Sequence, residues 1–299
     1  MDKERKEKVW TAFWNQQRQS NPPAVVSAEW NAISRAQFLA WTDFAAPLPQ
    51  GARVLDIATG SGKVPLMLQG SRPDLALTGI DIAQPLPDPG HGIRLVGGVS
   101  MDALPFDDHS FDVGVSQFGF EYGESGTTGT EMLRVLEEGG PIGLMLHRGD
   151  GPILAHNRRR EEQIRWVRQE RRIIETTRKL LPDEGVVARE AQALAASVAQ
   201  EGREKFGADS VAWEIAEAVR LTLELAPRGT RQQLLATLAA IEEQSDNELG
   251  RIASLTNACA SADDRSKLLA PFMDAGRGVV DVREIGLPGE PPFADLITL

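Results

Sequence analysis

Five short apolar runs constrain this chain more than any other feature: VLDIA at 54–58, LTGIDI at 77–82, IRLVG at 93–97, FDVGVS at 111–116 and PIGLMLH at 141–147. Each is bounded by Gly, Pro or Asp. Near-continuous apolar runs of this length belong to strands buried on both faces, as in a parallel sheet covered by helices. Helical stretches separate them. KVPLMLQGSRPDLA follows the first run and is ended by Gly70 and Pro73; GTTGTEMLRVLEEGG precedes the fifth and is closed by Gly139-Gly140. This alternation predicts an α/β fold built on a doubly wound, mostly parallel sheet.

After Arg148 the pattern changes. From about 153 to 258 the chain reads as helix, rich in Ala, Leu, Glu, Gln and Arg, with breaks near Pro182, Gly207 and Pro227-Arg228-Gly229. In its first helix Trp166, Ile173 and Leu180 recur every seven residues beside Val167, Ile174 and Leu181, an amphipathic seam. SADDRSKLLAPFMDAG then predicts one more helix, and GVVDVREIG and PFADLITL two strands that a hairpin joins to the sheet edge. The expected organisation is an N-terminal helical segment over 1–45 and an α/β core over 46–150. A helical insertion over 151–258 separates strands 5 and 6, and a last helix and strand pair over 259–299 completes seven strands. The N-terminal segment holds four of the six tryptophans; a helix pair on the sheet edge and a lid over a ligand suit it equally.

Composition narrows the function. The single cysteine, Cys259, excludes a disulfide framework, and four scattered histidines offer no zinc spacing. The opening MDKERKEKVW is too charged for a signal peptide and no apolar run approaches a membrane span, so a cytoplasmic protein without membrane attachment is expected. The net charge of −11 argues against a large polyanionic partner.

The loop after the first run, DIATGSGK, decides among three nucleotide ligands. A P-loop would need Gly where Ile57 stands and a hydroxyl where Val64 stands. A dinucleotide fingerprint fits Gly60-x-Gly62 and the later Asp81, but Pro65 holds the position where a small residue should pack helix on strand. Asp56, at the strand's carboxyl end, suits a ligand carrying its own positive charge.

VLDIATGSGK resembles motif I of class I S-adenosylmethionine (SAM)-dependent methyltransferases, with Ala58 in the first glycine's place. LTGIDIA is similar to the second strand with its ribose-binding acid, SMDALPFDDHSFDVGVSQFGFEY to the Leu-Pro-Phe…Ser-Phe-Asp segment, and EMLRVLEEGGPIGLML to the helix, Gly-Gly turn and fifth strand. The resemblance covers residues 50–148 and 262–299.

It implies SAM as cofactor, S-adenosylhomocysteine as product and no metal. Asp56 would organise the ligand's amino end, backbone at Ala58, Gly60 and Gly62 would approach its methionine part, Asp81 would bind the ribose, and Ile82 would flank adenine. Ser100, Met101 and Asp102 replace the family's usual acidic pattern at the adenine contact. Ser116 and Gln117 would line the methyl end.

Methyl transfer needs a base only if the acceptor loses a proton. His147, ending the fifth run, is the leading base by placement, with Glu121 second; Trp14, Phe118, Tyr122, Arg148 and His156 are acceptor contacts. Each also has an ordinary packing or capping explanation. The expected acceptor is a small or medium-sized organic molecule methylated at O, N or C. The alternatives are RNA, held by the run 158–179 with nine Arg/Lys against four Glu, and a ligand-binding protein without turnover. The insertion suits a substrate cap or a homodimer surface.

Overall fold

The computed structural model describes residues 7, 8, 10, 11, 13, 14, 28–90, 92–181, 189–225 and 231–299. Pro182 and Pro227-Arg228-Gly229 lie outside them. Two compact units result, one from residues 1–154 with 255–299 and one from 155–254.

The first unit is a seven-stranded sheet. A helix α1 (Ala28–Ala45) leads into β1 (Arg53–Ile57), α2 (Lys63–Ser71), β2 (Ala76–Ile80), β3 (Arg94–Val96) and β4 (Val113–Gln117). A 3₁₀ turn (Phe120–Tyr122), α3 (Ser125–Val135) and β5 (Ile142–His147) follow. The strand order is β3-β2-β1-β4-β5, extended by the last two strands of the chain, Ala294–Thr298 beside β5 and Asp281–Ile285 at the edge. All pairings through β5 are parallel, and the two closing strands run antiparallel. The chain winds outward from β1 in one direction and from β4 in the other, so a crevice opens at the carboxyl ends of these two strands.

Period-two alternation splits the apolar runs between two cores. Val54, Val113, Val115 and Met145 join Trp41, Phe44, Val64 and Leu68 on one face. Leu55, Ile57, Leu144 and Leu146 join Met132, Leu136 and Phe272 on the other. Both faces are covered, which is why these runs carry so few polar residues. Gly143 is required where α1 crosses β5, because a Cβ there would lie 2.9 Å from the Phe44 ring and 3.0 Å from Trp41. Phe111 is buried, as a core residue should be, and bridges Leu136 ahead of β4.

After β5 the chain passes into the second unit along α4 (Pro152–Arg165) and returns along α8 (Arg231–Asp263); α5 (Ile173–Leu180), α6 (Arg189–Phe206) and α7 (Val211–Leu225) lie between. The seven-residue seam is not one helix. A π-helical turn spans Trp166–Glu170, and Arg172 adopts a left-handed φ of 47° before α5 begins. The seam residues are apolar because they still share one core: Trp166, Val167, Ile173, Ile174 and Leu181 are buried with Val198, Ala212, Val219 and Ile252.

The single helix expected from SADDRSKLLAPFMDAG is also broken. Its first residues finish α8, and two short helices follow, α9 (Arg265–Leu268) and α10 (Ala270–Asp274). Asp264 caps α9 by accepting from the Lys267 amide at 3.3 Å, and Pro271 restarts the chain as α10. The strand at Asp281–Ile285 is β6 and that at Ala294–Thr298 is β7.

Candidate active site

Asp56, at the end of β1, is 2 % exposed, and neither carboxylate oxygen has a hydrogen-bond partner. Burial pushes its carboxyl up to about 8; the side chain of Thr59 opposes the shift and the neighbouring Asp81 carboxylate adds to it. A buried, unpartnered acid is costly unless a ligand supplies the missing cation. SAM carries an ammonium group on its amino-acid end, so the residue present fits the cofactor that the loop pattern implies.

The loop beyond Asp56 turns on three left-handed residues, Ala58 (φ 56°), Gly60 (φ 55°) and Gly62 (φ 78°). Ala58 takes the strained conformation where the first glycine of the pattern would cost less. Asp81 fastens the loop: its two oxygens accept from the Gly60 amide at 2.8 Å and the Ala83 amide at 2.9 Å. Burial raises this carboxyl too. Its remaining lone pairs are where ribose hydroxyls would donate. The Asp81 carbonyl accepts from Val99 at 3.0 Å and brings the 100–102 stretch alongside. There Asp102 accepts from the Thr128 hydroxyl at 2.5 Å, and Ser100 and Met101 are half-buried, as is Ile82.

Ser116 and Gln117 are engaged within the protein. The Ser116 hydroxyl donates to the Ile57 carbonyl at 3.0 Å and accepts from the Phe120 amide at 3.1 Å, so it clamps β1, β4 and the 3₁₀ turn together. The Gln117 side-chain oxygen accepts from the Trp41 indole at 2.7 Å. These bonds account for the Ser116 hydroxyl and for the Gln117 side-chain oxygen.

The two candidate bases meet. Glu121 is 2 % exposed in the 3₁₀ turn and His147 9 % exposed at the end of β5, and strand pairing of β4 with β5 brings them together. Glu121 Oε1 accepts from the His147 backbone amide at 3.0 Å and lies 2.7 Å from its Nδ1. A carboxylate there places the imidazole proton on Nδ1 and leaves Nε2 as a proton acceptor. Phe118 stacks on the imidazole at 4.2 Å, and Tyr122 approaches it edge-on at 6.0 Å. Trp10 continues the aromatic series against Tyr122 at 5.2 Å, and Phe13 links it to Trp14.

The other expected acceptor contacts are placed elsewhere. Trp14 covers the glycine loop: a Cβ on Gly60 would fall 2.1 Å from its indole, so the ring packs directly on the loop backbone. Arg148 is held by Asp150, Glu284 at 2.8 Å and Asp295 at 2.7 Å, a network that takes up four of its five N–H donors. His156 is exposed on α4 and belongs to the helical unit.

Two features escaped the sequence patterns. One is the pairing of Glu121 with His147, 26 residues apart; strand adjacency was the signal that could have found it. The other is Lys63, whose ammonium donates to Gln37 at 2.7 Å and Ser34 at 3.4 Å and is pushed down by burial. The loop motif contains Lys63 but gave it no role.

A methyltransferase-domain family profile matches residues 55–144. Over 102 residues the chain is 35 % identical to the ubiquinone/menaquinone biosynthesis C-methyltransferase UbiE of Geobacter sulfurreducens, covering 30 % of this chain and 40 % of that protein. It is 34 % identical to a demethylmenaquinone methyltransferase of Thermus thermophilus over 99 residues, 30 % and 44 % of the two chains. The chain thus spans less than half the length of these relatives. A solved SAM-dependent methyltransferase from Thermotoga maritima aligns with 52 % of this chain and 68 % of its own at 17 % identity, with a TM-score of 0.38. Residues 55–144 thus carry a methyltransferase domain, seated on this strand order and this glycine loop.

Proposed function

We propose that the chain methylates a small or medium-sized organic acceptor that loses a proton as it reacts, with His147 as the base and Glu121 as the group that orients it. The observation that carries this reading is the 2.7 Å bond between His147 Nδ1 and Glu121, buried at the carboxyl ends of β4 and β5. Glu121 fixes the tautomer, so that Nε2 receives the acceptor's proton and the carboxylate steadies the resulting imidazolium. Phe118 and Tyr122 pack against the imidazole ring, and an aromatic surrounding favours a flat acceptor over a flexible one. The relatives' names, both quinone-pathway methyltransferases, support a small organic acceptor. SAM, when bound, supplies a methyl group already activated on a sulfonium. Asp56 would hold its amino end, backbone at Ala58, Gly60 and Gly62 its methionine part, and Asp81 its ribose.

The RNA alternative loses its basic face. Of the nine Arg/Lys in 158–179, Arg160, Arg165, Arg168, Arg171, Arg172, Arg178 and Lys179 are ion-paired with carboxylates of the same unit. Paired charge releases few counterions on meeting phosphate. Among the described residues no helix is long and apolar enough to cross a membrane.

The cofactor assignment is tested by calorimetric titration with S-adenosylhomocysteine across pH. An ammonium ligand selects the ionised form of Asp56, which is the minor form below about 8. Affinity therefore rises with pH, by at most about tenfold (about 1.4 kcal/mol) per pH unit, and levels off near 8. Asp56→Asn binds more weakly and without this slope. A pH-independent affinity in the native protein would remove Asp56 from the contact.

A further inference from the structure

Strand β6 ends the sheet, and among the described residues its outer edge pairs with no strand. An edge of this kind is a template for another strand, and proteins usually blunt it with charge, proline or a covering segment. Here the strand carries the charges of Asp281, Arg283 and Glu284, with exposed apolar side chains between and before them. Val280 is 77 % exposed, and Val279 and Val282 are 43 % and 42 % exposed. Leu39, 50 % exposed, sits one turn before Asp43 on α1, and Asp43 accepts from Arg283 at 2.8 Å on the same edge.

We infer that β6 pairs antiparallel with β6 of a second copy of this chain, centred on Val282, to join two sheets into one. The charge pattern selects both the partner and the register. Asp281, Arg283 and Ile285 share one face of the sheet, marked by the Arg283–Asp43 bond and by Ile285 in the core under α1. Val280, Val282 and Glu284 share the other, where Glu284 bonds Arg148. A two-fold axis normal to a continuous sheet keeps each face on its own side, so a residue can oppose only residues of its own face.

That leaves few registers. Centring on Asp281, Arg283 or Glu284 sets like charges directly opposite each other. Centring on Val280 sets Val279 against Asp281 and leaves Arg283 beyond the paired residues. Centring on Val282 stacks Val282 on Val282, sets Asp281 against Arg283 of the second copy, twice by symmetry, and leaves no like charges opposed, Glu284 facing Val280. Opposite charges across a strand pair are stabilising and like charges destabilising. Because the contact is isologous, it closes at two copies and does not propagate into fibres.

The experiment is sedimentation velocity on the full chain over a concentration series. The native protein is expected to dimerise. Asp281→Arg or Arg283→Asp alone turns both cross-strand attractions into repulsions and raises the dimer dissociation constant by about tenfold or more, about 1.4 kcal/mol. The combined D281R/R283D variant restores opposite charges and recovers the dimer. Asp281→Arg leaves the Arg283–Asp43 bond in place, so agreement of the two single variants excludes loss of that bond as the cause. Circular dichroism confirms that each variant is folded. A native protein that stays monomeric throughout overturns the proposal. So does a dimer indifferent to both single variants, or a double variant that remains monomeric.

Discussion

Replacing His147 with Ala is expected to lower kcat by about 10²–10⁴, the range for loss of a positioned general base. Affinity for S-adenosylhomocysteine should stay within about twofold, worth only about 0.4 kcal/mol, because the imidazole meets Glu121, Phe118 and Tyr122, none of them assigned to the cofactor. Exogenous imidazole should return part of the lost rate, since the small base can occupy the space the side chain vacates. Glu121→Gln should cost less: the amide oxygen still accepts from Nδ1, but no carboxylate steadies the imidazolium. Single-turnover kinetics with saturating cofactor separate these effects from product release. Unaltered turnover in His147→Ala would mean that the acceptor arrives already deprotonated or needs no base.

The second large effect is on stability. Trp41 is 0 % exposed, stands edge-on to Phe44 at 5.6 Å and donates its indole proton to Gln117 at 2.7 Å. Trp41→Ala empties a large space against β5 and strips Gln117 of its donor. The expected cost is about 3–5 kcal/mol. Urea denaturation should then show the midpoint of the α/β unit falling by roughly 1–3 M. Trp41→Phe, which refills most of the space but not the hydrogen bond, should lose much less. Equal losses in the two variants would mean that the bond to Gln117, not packing, dominates.

These two residues also show where sequence patterns reach and where they stop. The strands were legible because each had to be apolar on both faces, and Asp56 was legible because its place before a glycine loop is chemically unusual. His147 and Glu121 were visible one at a time. Their bond depends on β4 lying beside β5, a fact of topology that no local window contains. Gln117 was assigned to the methyl end by its position, yet its partner, Trp41, lies 76 residues upstream.

Long-range charge defeated local reading most clearly. Arg148 looked available until Glu284 and Asp295, 136 and 147 residues away, closed on it. The basic run 158–179 looked like a binding face because its acidic partners Glu201, Glu242 and Glu248 lie in α6 and α8. The seven-residue seam concealed a break for a related reason. Trp166 and Ile173 keep their spacing across the π-helical turn because burial in one core, not helical continuity, selects apolar residues there.

The most direct test of the central claim is the fate of the methyl group. The protein is incubated with SAM labelled in its methyl group and an extract of its own cells, which is then divided into small molecules, RNA and protein. We predict label in the small-molecule fraction, strongly reduced with the His147→Ala variant. Label in RNA or protein, or no transfer by a protein that binds S-adenosylhomocysteine, would contradict it.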